Sequence, residues 1–428
     1  MNRKLLRPVD IIGVGITKLG FVTEMAEIKN MTSRELWTWA AYEAMQDAGI
    51  TPKQIDALFC GNMFSELSED QYHLGNILVQ WTGLAAGNGA WKPAVRIEGA
   101  CASSSHAIQQ AVFAIAAGAY DIAIAGGVEV TNAKIESKAP GKPRKMTNEE
   151  RVRALWCHYD QAWELPQLST QDLILSQWII AYAKYYGLDI ETLYNVLDAR
   201  IFSNYRNGQF NPKAYWNRSL EKMAAEAGFE NPRALLRSPE HNPLLFWPIR
   251  LFDGARRADG AGAVVLCAAE MSKQFQEIPI HVLGTGNAHS TTISEKMYSH
   301  PFIIEASRQA YEMAGITPND VDVAEVYDYF APEYLIPLED IGYFGRGEGW
   351  RAMIDQRTTF KGDKPVNLSG GSSAGSVIGC VGPIQTYYIV KQLRGEAGTN
   401  QVNPIPKIGL VFDCGAARDA VIHIYGRD

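Results

Sequence analysis

The sequence has no paired cysteines, no long apolar run and no excess of positive charge, and each absence removes a class of function. Its six cysteines (60, 101, 157, 267, 380 and 414) are scattered, with no CxxC pair and no metal-ligand spacing. That pattern predicts no metal site in this chain and suits a reducing cytoplasm rather than a disulfide-stapled secreted fold. No stretch approaches the roughly 18 apolar residues of a membrane span. The opening MNRKLLRPVDIIGVGITKLG passes from a few basic residues into an alternating strand pattern, not an apolar signal core. A net charge of −7 leaves no electrostatic footprint for nucleic acid or an anionic membrane. No Walker motif is present, and GVGITKLG and GTGNAH do not fit GxGxxG, so a bound nucleotide cofactor is not expected. What remains is a soluble cytoplasmic α/β protein, long enough at 428 residues for two or three domains.

What is present is a repeat. The string AGITP occurs at 48–52 and again at 314–318. The flanks agree, since YEAMQDAGITPKQIDALFCGNMF answers YEMAGITPNDVDVAEVYDYF. Both read as helix, glycine cap, Pro-initiated turn and apolar strand. This predicts an internal duplication. The first half runs from the strand at Val9–Val14 to GAGAVVLCAAE (260–270), the second from IPIHVLGTGNAH (278–289) to AVIHIY (420–425). Between about 132 and 247 lies an insertion rich in aromatic residues (Trp156, Tyr159, Trp163, Trp178, Tyr182, Tyr185, Tyr186 and Trp216). It is expected to form a mostly helical lobe over one face of the core, and core packing is the ordinary use of such a set.

Within the first half, EGACASSSHAIQQA (98–111) sets Cys101 among small residues, between the strand at 94–97 and an alanine-rich helix from Ser103. A thiol at a helix N-terminus has its thiolate stabilised by the helix dipole and free N–H groups, which lowers its pKa. The alternative is a small buried core thiol.

These features together, with AGGVE behind the helix, resemble the thiolase superfamily, above all its sterol-carrier-protein-type and archaeal branch. The similarity spans nearly the whole chain: DIIGVGITKLG, DGAGAVVL (259–266), MAGITPNDVDVAEVYDYF and NLSGG…GPIQ…QLRGEAG fall in the family's order. The resemblance implies an α/β thiolase fold of two pseudo-symmetric βαβαβαββ halves (1–270 and 277–428) in a layered αβαβα core, with the insertion as its loop domain. It also implies coenzyme A as co-substrate, no permanently bound cofactor, a homodimer, and a small zinc-finger/OB-fold companion subunit.

Carried over loop by loop, the family's site falls as follows. Cys101 is the nucleophile. The second loop reads Tyr327-Asp328-Tyr329-Phe330, where a phenol replaces the usual polar oxyanion donor. The third, usually Gly-His-Pro, reads Gly375-Ser376-Val377, and serine is no base unaided. His289 and His158 are the candidate replacements, whereas His106 reads as structural. The fourth reads Asp413-Cys414-Gly415, with the Gly415 N–H expected in the oxyanion hole and Cys414 the expected proton donor. Asp413 and Cys380 are its substitutes. Arg256 and Arg257, near the expected channel for the pantetheine arm, suggest a second anion on the substrate, or else contacts to coenzyme A phosphates or solvent. With the aromatic lobe, they suggest a β-ketoacyl-CoA carrying an aryl ketone and a carboxylate, of which 2-benzoylsuccinyl-CoA is an example. The rival readings are an acetoacetyl-CoA thiolase, a thiolase-fold aldolase that uses tyrosines as proton carriers, and a non-catalytic thiolase-like subunit.

Overall fold

The computed structural model describes residues 3–85, 91–135, 142–164, 166, 171–290 and 296–428. Each AGITP unit folds as its residues dictate. Gly49 and Gly315 end their helices at φ of 65° and 67°, where a Cβ would be strained. Thr51 with Gln54, and Thr317 with Asp320, then form reciprocal caps on single turns that begin at Pro52 and Pro318. A buried strand follows each turn.

The nine strands of the main sheet are β1 (Val9–Ile16), β2 (Ala57–Gly61), β3 (Ala94–Ile97), β4 (Ile122–Glu129), β5 (Gly260–Ala268), β6 (Ile280–His289), β7 (Val323–Val326), β8 (Ile408–Gly415) and β9 (Asp419–Gly426). Their order is β7-β8-β9-β6-β1-β5-β4-β2-β3. Read outward from the centre, one half is β1-β5-β4-β2-β3 and the other β6-β9-β8-β7. The halves meet through two antiparallel Cα partners, Asp10 with His281 and Ile11 with Ile280.

Where the first half has β3 beside β2, the second has a single parallel bridge, Ala324 with Val366. Pro365 brings no N–H to a ladder, and Asn367 turns left-handed at φ 52°. The Asn367 side chain substitutes for the missing strand, accepting from the Val326 N–H at 2.7 Å and donating to the Val326 carbonyl at 2.9 Å.

The helices used below are α1 (Ser33–Asp47), α2 (Ser103–Ala116), α3 (Asn148–Trp156), α4 (Gln171–Tyr186), α5 (Ile190–Gly208), α6 (Pro301–Ala314), α7 (Pro332–Asp340) and α8 (Val381–Arg394). Helix α1 lies on β1 and β5, and α6 lies on β6 and β9, while α8 touches α2 and strands of both halves. GVG and GTG seat the outer helices. A Cβ at Gly13 would come 2.1 Å from the Ala44 carbonyl, and one at Gly284 would come 2.2 Å from that of Ala310. Each strand shifts register just before its glycine, between Ile11 and Gly13 and between Val282 and Gly284. The duplication therefore extends to the bulge.

The inserted segment carries α3, α4 and α5, with two shorter helices at Leu220–Glu226 and Pro232–Arg237. Of its aromatics, Tyr159, Trp178 and Tyr182 are core, whereas Trp156, Trp163 and Tyr185 are exposed. Tyr182 and Tyr186 donate to Glu339 of α7. A buried ion pair at 2.9 Å joins Arg200 of α5 to Asp328, so the lobe holds the loop that carries Tyr327. Removing one partner of such a pair costs about 3–5 kcal/mol.

Candidate active site

Cys101 sits in one tight turn, Ala100–Ala102, that runs into α2. The turn is forced by Ala100, which is left-handed at φ 52°, a conformation that costs of order 1–3 kcal/mol. Three hydrogen bonds hold it. The Gly99 N–H donates to the Ser103 hydroxyl at 2.9 Å, which donates to the Ala100 carbonyl at 2.6 Å. The Ala100 N–H donates to the Glu98 carboxylate at 2.7 Å.

The thiol is buried, only 4% exposed, and groups from the second half surround it. The Tyr327 hydroxyl faces it; among the described residues that hydroxyl has no hydrogen bond of regular geometry, and the Cys101 thiol is the hydrogen-bonding group it meets. The Ala416 N–H points at the sulfur. Burial pushes the thiol up to about 12; Tyr327 and the Ala416 N–H pull it down, while the charges of Asp413 and Glu333 push it further up. This corrects the expectation of a lowered pKa. The helix start is present, but desolvation and two carboxylates outweigh it.

The fourth loop is likewise shifted by one residue. The N–H aimed at the sulfur belongs to Ala416 rather than Gly415, because Ala416 and Ala417 are both left-handed, at φ 48° and 60°. Gly415 has a steric role, as a Cβ there would lie 2.4 Å from the Gly99 carbonyl. Cys414 is buried and held well above its ordinary pKa, by burial first and then by the charges of Glu333, Asp419, Asp413 and Cys101. Asp413 differs: burial raises it only to about 7, against the Ser105 hydroxyl at 2.7 Å and the Cys414 N–H at 2.8 Å. Of the two, only Asp413 has its pKa near neutrality.

Other expected site residues lie elsewhere. Cys380 is fully buried at the start of α8 and donates its thiol to the Gly127 carbonyl at 2.9 Å. Arg256 stacks on Trp216 and Phe252 and bonds the Tyr205 hydroxyl at 3.3 Å, which makes it a packing residue of the lobe. Arg257 points the other way and donates to the Tyr329 hydroxyl; the Tyr329 ring stacks with that of Tyr327 at 6.1 Å. Ser376 pairs with Arg257 across a parallel bridge, and its buried hydroxyl has no hydrogen-bond partner among the described residues. His289 is exposed beside His106 and Asp419 rather than over the thiol.

Two groups at the site were not singled out in the sequence. Glu333, in the first turn of α7, is fully buried and its charge acts on Cys101, Tyr327 and Cys414 together. Glu98 lies beside the nucleophile in sequence and bridges it to His158, whose Nε2 is 3.1 Å from the carboxylate that holds the Ala100 N–H. His158 therefore meets the nucleophile turn through Glu98. The adjacency of Glu98 to the motif was the available signal; Glu333 had none.

The family model "Thiolase, N-terminal domain" matches residues 9–165, and "Thiolase C-terminal domain-like" matches 284–427. An acetyl-CoA acetyltransferase of Methanothermobacter thermautotrophicus is 32% identical, over 99% of this chain and 100% of that protein. The benzoylsuccinyl-CoA thiolase subunit BbsB of Thauera aromatica is 27% identical, over 96% of each. Among solved structures, the Ltp2-ChsH2(DUF35) aldolase superposes with a TM-score of 0.74 at 20% identity, over 99% of each chain. Human mitochondrial 3-ketoacyl-CoA thiolase in complex with CoA gives 0.67 at 18%, over 100% of each.

Proposed function

The chain belongs to the thiolase family of acyltransferases, and from that premise we propose that it cleaves a β-ketoacyl-CoA through a thioester on Cys101. One observation carries this reading: the Cys101 sulfur is met by a phenol and a backbone N–H, from Tyr327 and Ala416. Both are donors of the kind that stabilise a thiolate and the oxyanion formed from it.

In the first half-reaction the Cys101 thiol gives its proton to the Asp413 carboxylate, and the sulfur bonds to the ketone carbon. The bond between that carbon and the α-carbon breaks, leaving an acyl group on Cys101 and the enolate of an acyl-CoA. Asp413 returns the proton to the enolate carbon. In the second, the thiol of free coenzyme A loses its proton to Asp413 and attacks the acyl-cysteine, which releases the new acyl-CoA and a Cys101 thiolate that takes the proton back. Splitting the reaction this way replaces one difficult step with two easier ones. A thiol held up at about 12 is inert until substrate brings an electrophile, so an internal carboxylate near 7 suits the task that a histidine has in the usual family loop.

The substrate we favour is an aryl β-ketoacyl-CoA with a carboxylate, such as 2-benzoylsuccinyl-CoA. Arg257 beside the Tyr329–Tyr327 pair supports it, and a relative bears that substrate in its name. We further read the working enzyme as a homodimer with a small zinc-finger/OB-fold companion; one relative is named as a subunit and one fold neighbour as a complex with a DUF35 protein.

Mass spectrometry after mixing the enzyme with β-ketoacyl-CoA, without free coenzyme A, tests the reading. An acyl adduct on the Cys101 peptide is expected. The stacked Tyr327 and Tyr329 favour a second reading, retro-aldol cleavage with tyrosine proton carriers, which needs no thiol. Full turnover by Cys101→Ala would discard the thioester and leave that second reading.

A further inference from the structure

Behind the nucleophile turn, three side chains distant in sequence converge. His106 comes from the first turn of α2, His289 from the end of β6 and Asp419 from the start of β9. One ligand atom of each lies within 4.8 Å of the others. Asp419 is 6% exposed. Its Oδ2 is 2.5 Å from His106 Nε2. Its Oδ1 is buried with no hydrogen-bond partner among the described residues, 3.5 Å from His289 Nδ1. The two imidazoles lie parallel, 1° apart in plane and 5.8 Å between centroids.

A buried carboxylate oxygen without a partner is costly unless something else occupies its lone pairs. Gly99 leaves the space: a Cβ there would lie 2.7 Å from His106 Cδ2 and 3.4 Å from Asp419 Oδ2. His289 is 62% exposed, so the cluster is reachable from solvent.

We propose that His106, His289 and Asp419 form a binding site for one divalent transition-metal ion of the zinc type. The ligands are His106 Nε2, His289 Nδ1 and Asp419 Oδ1, with a fourth position open to water. Two imidazoles and one carboxylate are a donor set that zinc takes, whereas calcium and magnesium seek oxygen alone. The ion displaces the proton shared between Nε2 and Oδ2 into solvent and satisfies the orphaned oxygen. The sequence showed no ligand spacing because each ligand comes from a separate element. The ion would also pin α2 of the first half to β6 and β9 of the second, next to the turn that bears Cys101. This site is independent of the acyl-transfer reading, since no reaction step passes through it.

The test uses the full chain, stripped with a chelator and titrated with Co²⁺ alone at pH 8, followed by its visible d–d absorption. One Co²⁺ per chain is expected, displaced by Zn²⁺. His289→Ala and Asp419→Asn should each weaken it by more than the roughly tenfold to hundredfold that losing even an outer-shell partner costs. His289 is at the surface, so its variant decides the matter if Asp419→Asn does not fold. No saturable absorption, or one-to-one binding that survives in His289→Ala, overturns the proposal.

Discussion

The Tyr327 hydroxyl faces the Cys101 thiol across the junction of the two halves, so the nucleophile and its phenol donor come from different copies of the repeat. Tyr327 stabilises the thiolate, and Tyr327→Phe should therefore raise the thiol pKa further. The pH profile of Cys101 alkylation by iodoacetamide should move upward, and single-turnover acylation should slow about 10²–10³-fold, as for loss of one oxyanion donor. An unmoved alkylation profile would count against the contact.

Cys101 itself should be a slow thiol. With its pKa at about 12, its alkylation rate should rise about tenfold per pH unit from 7 to 10, following the thiolate fraction. The exposed Cys157 should be labelled first at neutral pH, as peptide mapping can read. Preferential labelling of Cys101 at pH 7 would contradict the burial argument.

Asp413 offers a stability measurement. Its folded value, about 7, lies above the ordinary 3.8, so the native state favours the protonated acid. That contribution is complete below about pH 4 and is lost as pH climbs to 7. Asp413→Asn keeps the shape without the charge. Relative to the parent, it should gain roughly 2–3 kcal/mol in denaturant unfolding between pH 5 and pH 8. Parallel stability curves would refute the raised value.

Gly13→Ala and Gly284→Ala probe the repeat. Each adds a methyl about 2 Å from a helix carbonyl that has nowhere to go, so each should cost at least about 1–3 kcal/mol. Thermal unfolding should show similar losses for the two. A harmless substitution at one position would break the equivalence of the halves.

The arginines can be separated kinetically. Arg257→Gln should lower kcat/KM for a carboxylated aryl substrate about tenfold to a hundredfold, the worth of a charge-assisted contact, with little effect on its uncharged analogue. Arg256→Gln should lower both alike, through the lobe it packs. Equal losses on both substrates for Arg257→Gln would remove its carboxylate role.

What could be read in the sequence was whatever is local. AGITP marked the halves because a left-handed glycine and a capped turn are written in consecutive residues. Cys101 was recognisable from its neighbours for the same reason. GVG and GTG were legible only as failed nucleotide motifs, since their purpose depends on a helix that arrives from elsewhere in the chain. The Cys101 pKa shift ran opposite to expectation because the helix start is local, whereas the burial that raises it, and after burial the charges of Asp413 and Glu333, arise from packing against the other half. Ala416 displaced Gly415 as donor through two left-handed residues that alanine rarely signals. The His106–His289–Asp419 cluster was invisible because its members share no element.

Among the described residues the two half-sheets pair directly at two positions, on β1 and β6; the rest of the junction is packing around the central helices and backbone bridges between loops of the two halves, Gly254 with Phe330 and Arg257 with Ser376. The repeats are redundant as architecture and interdependent as chemistry. A slight slide of one half against the other would cost the sulfur its phenol and its amide together, because both come from the second half. Selection on catalysis in such a molecule acts on the alignment of two copies, and a residue far from the thiol matters to the reaction in proportion to how firmly it locks that alignment.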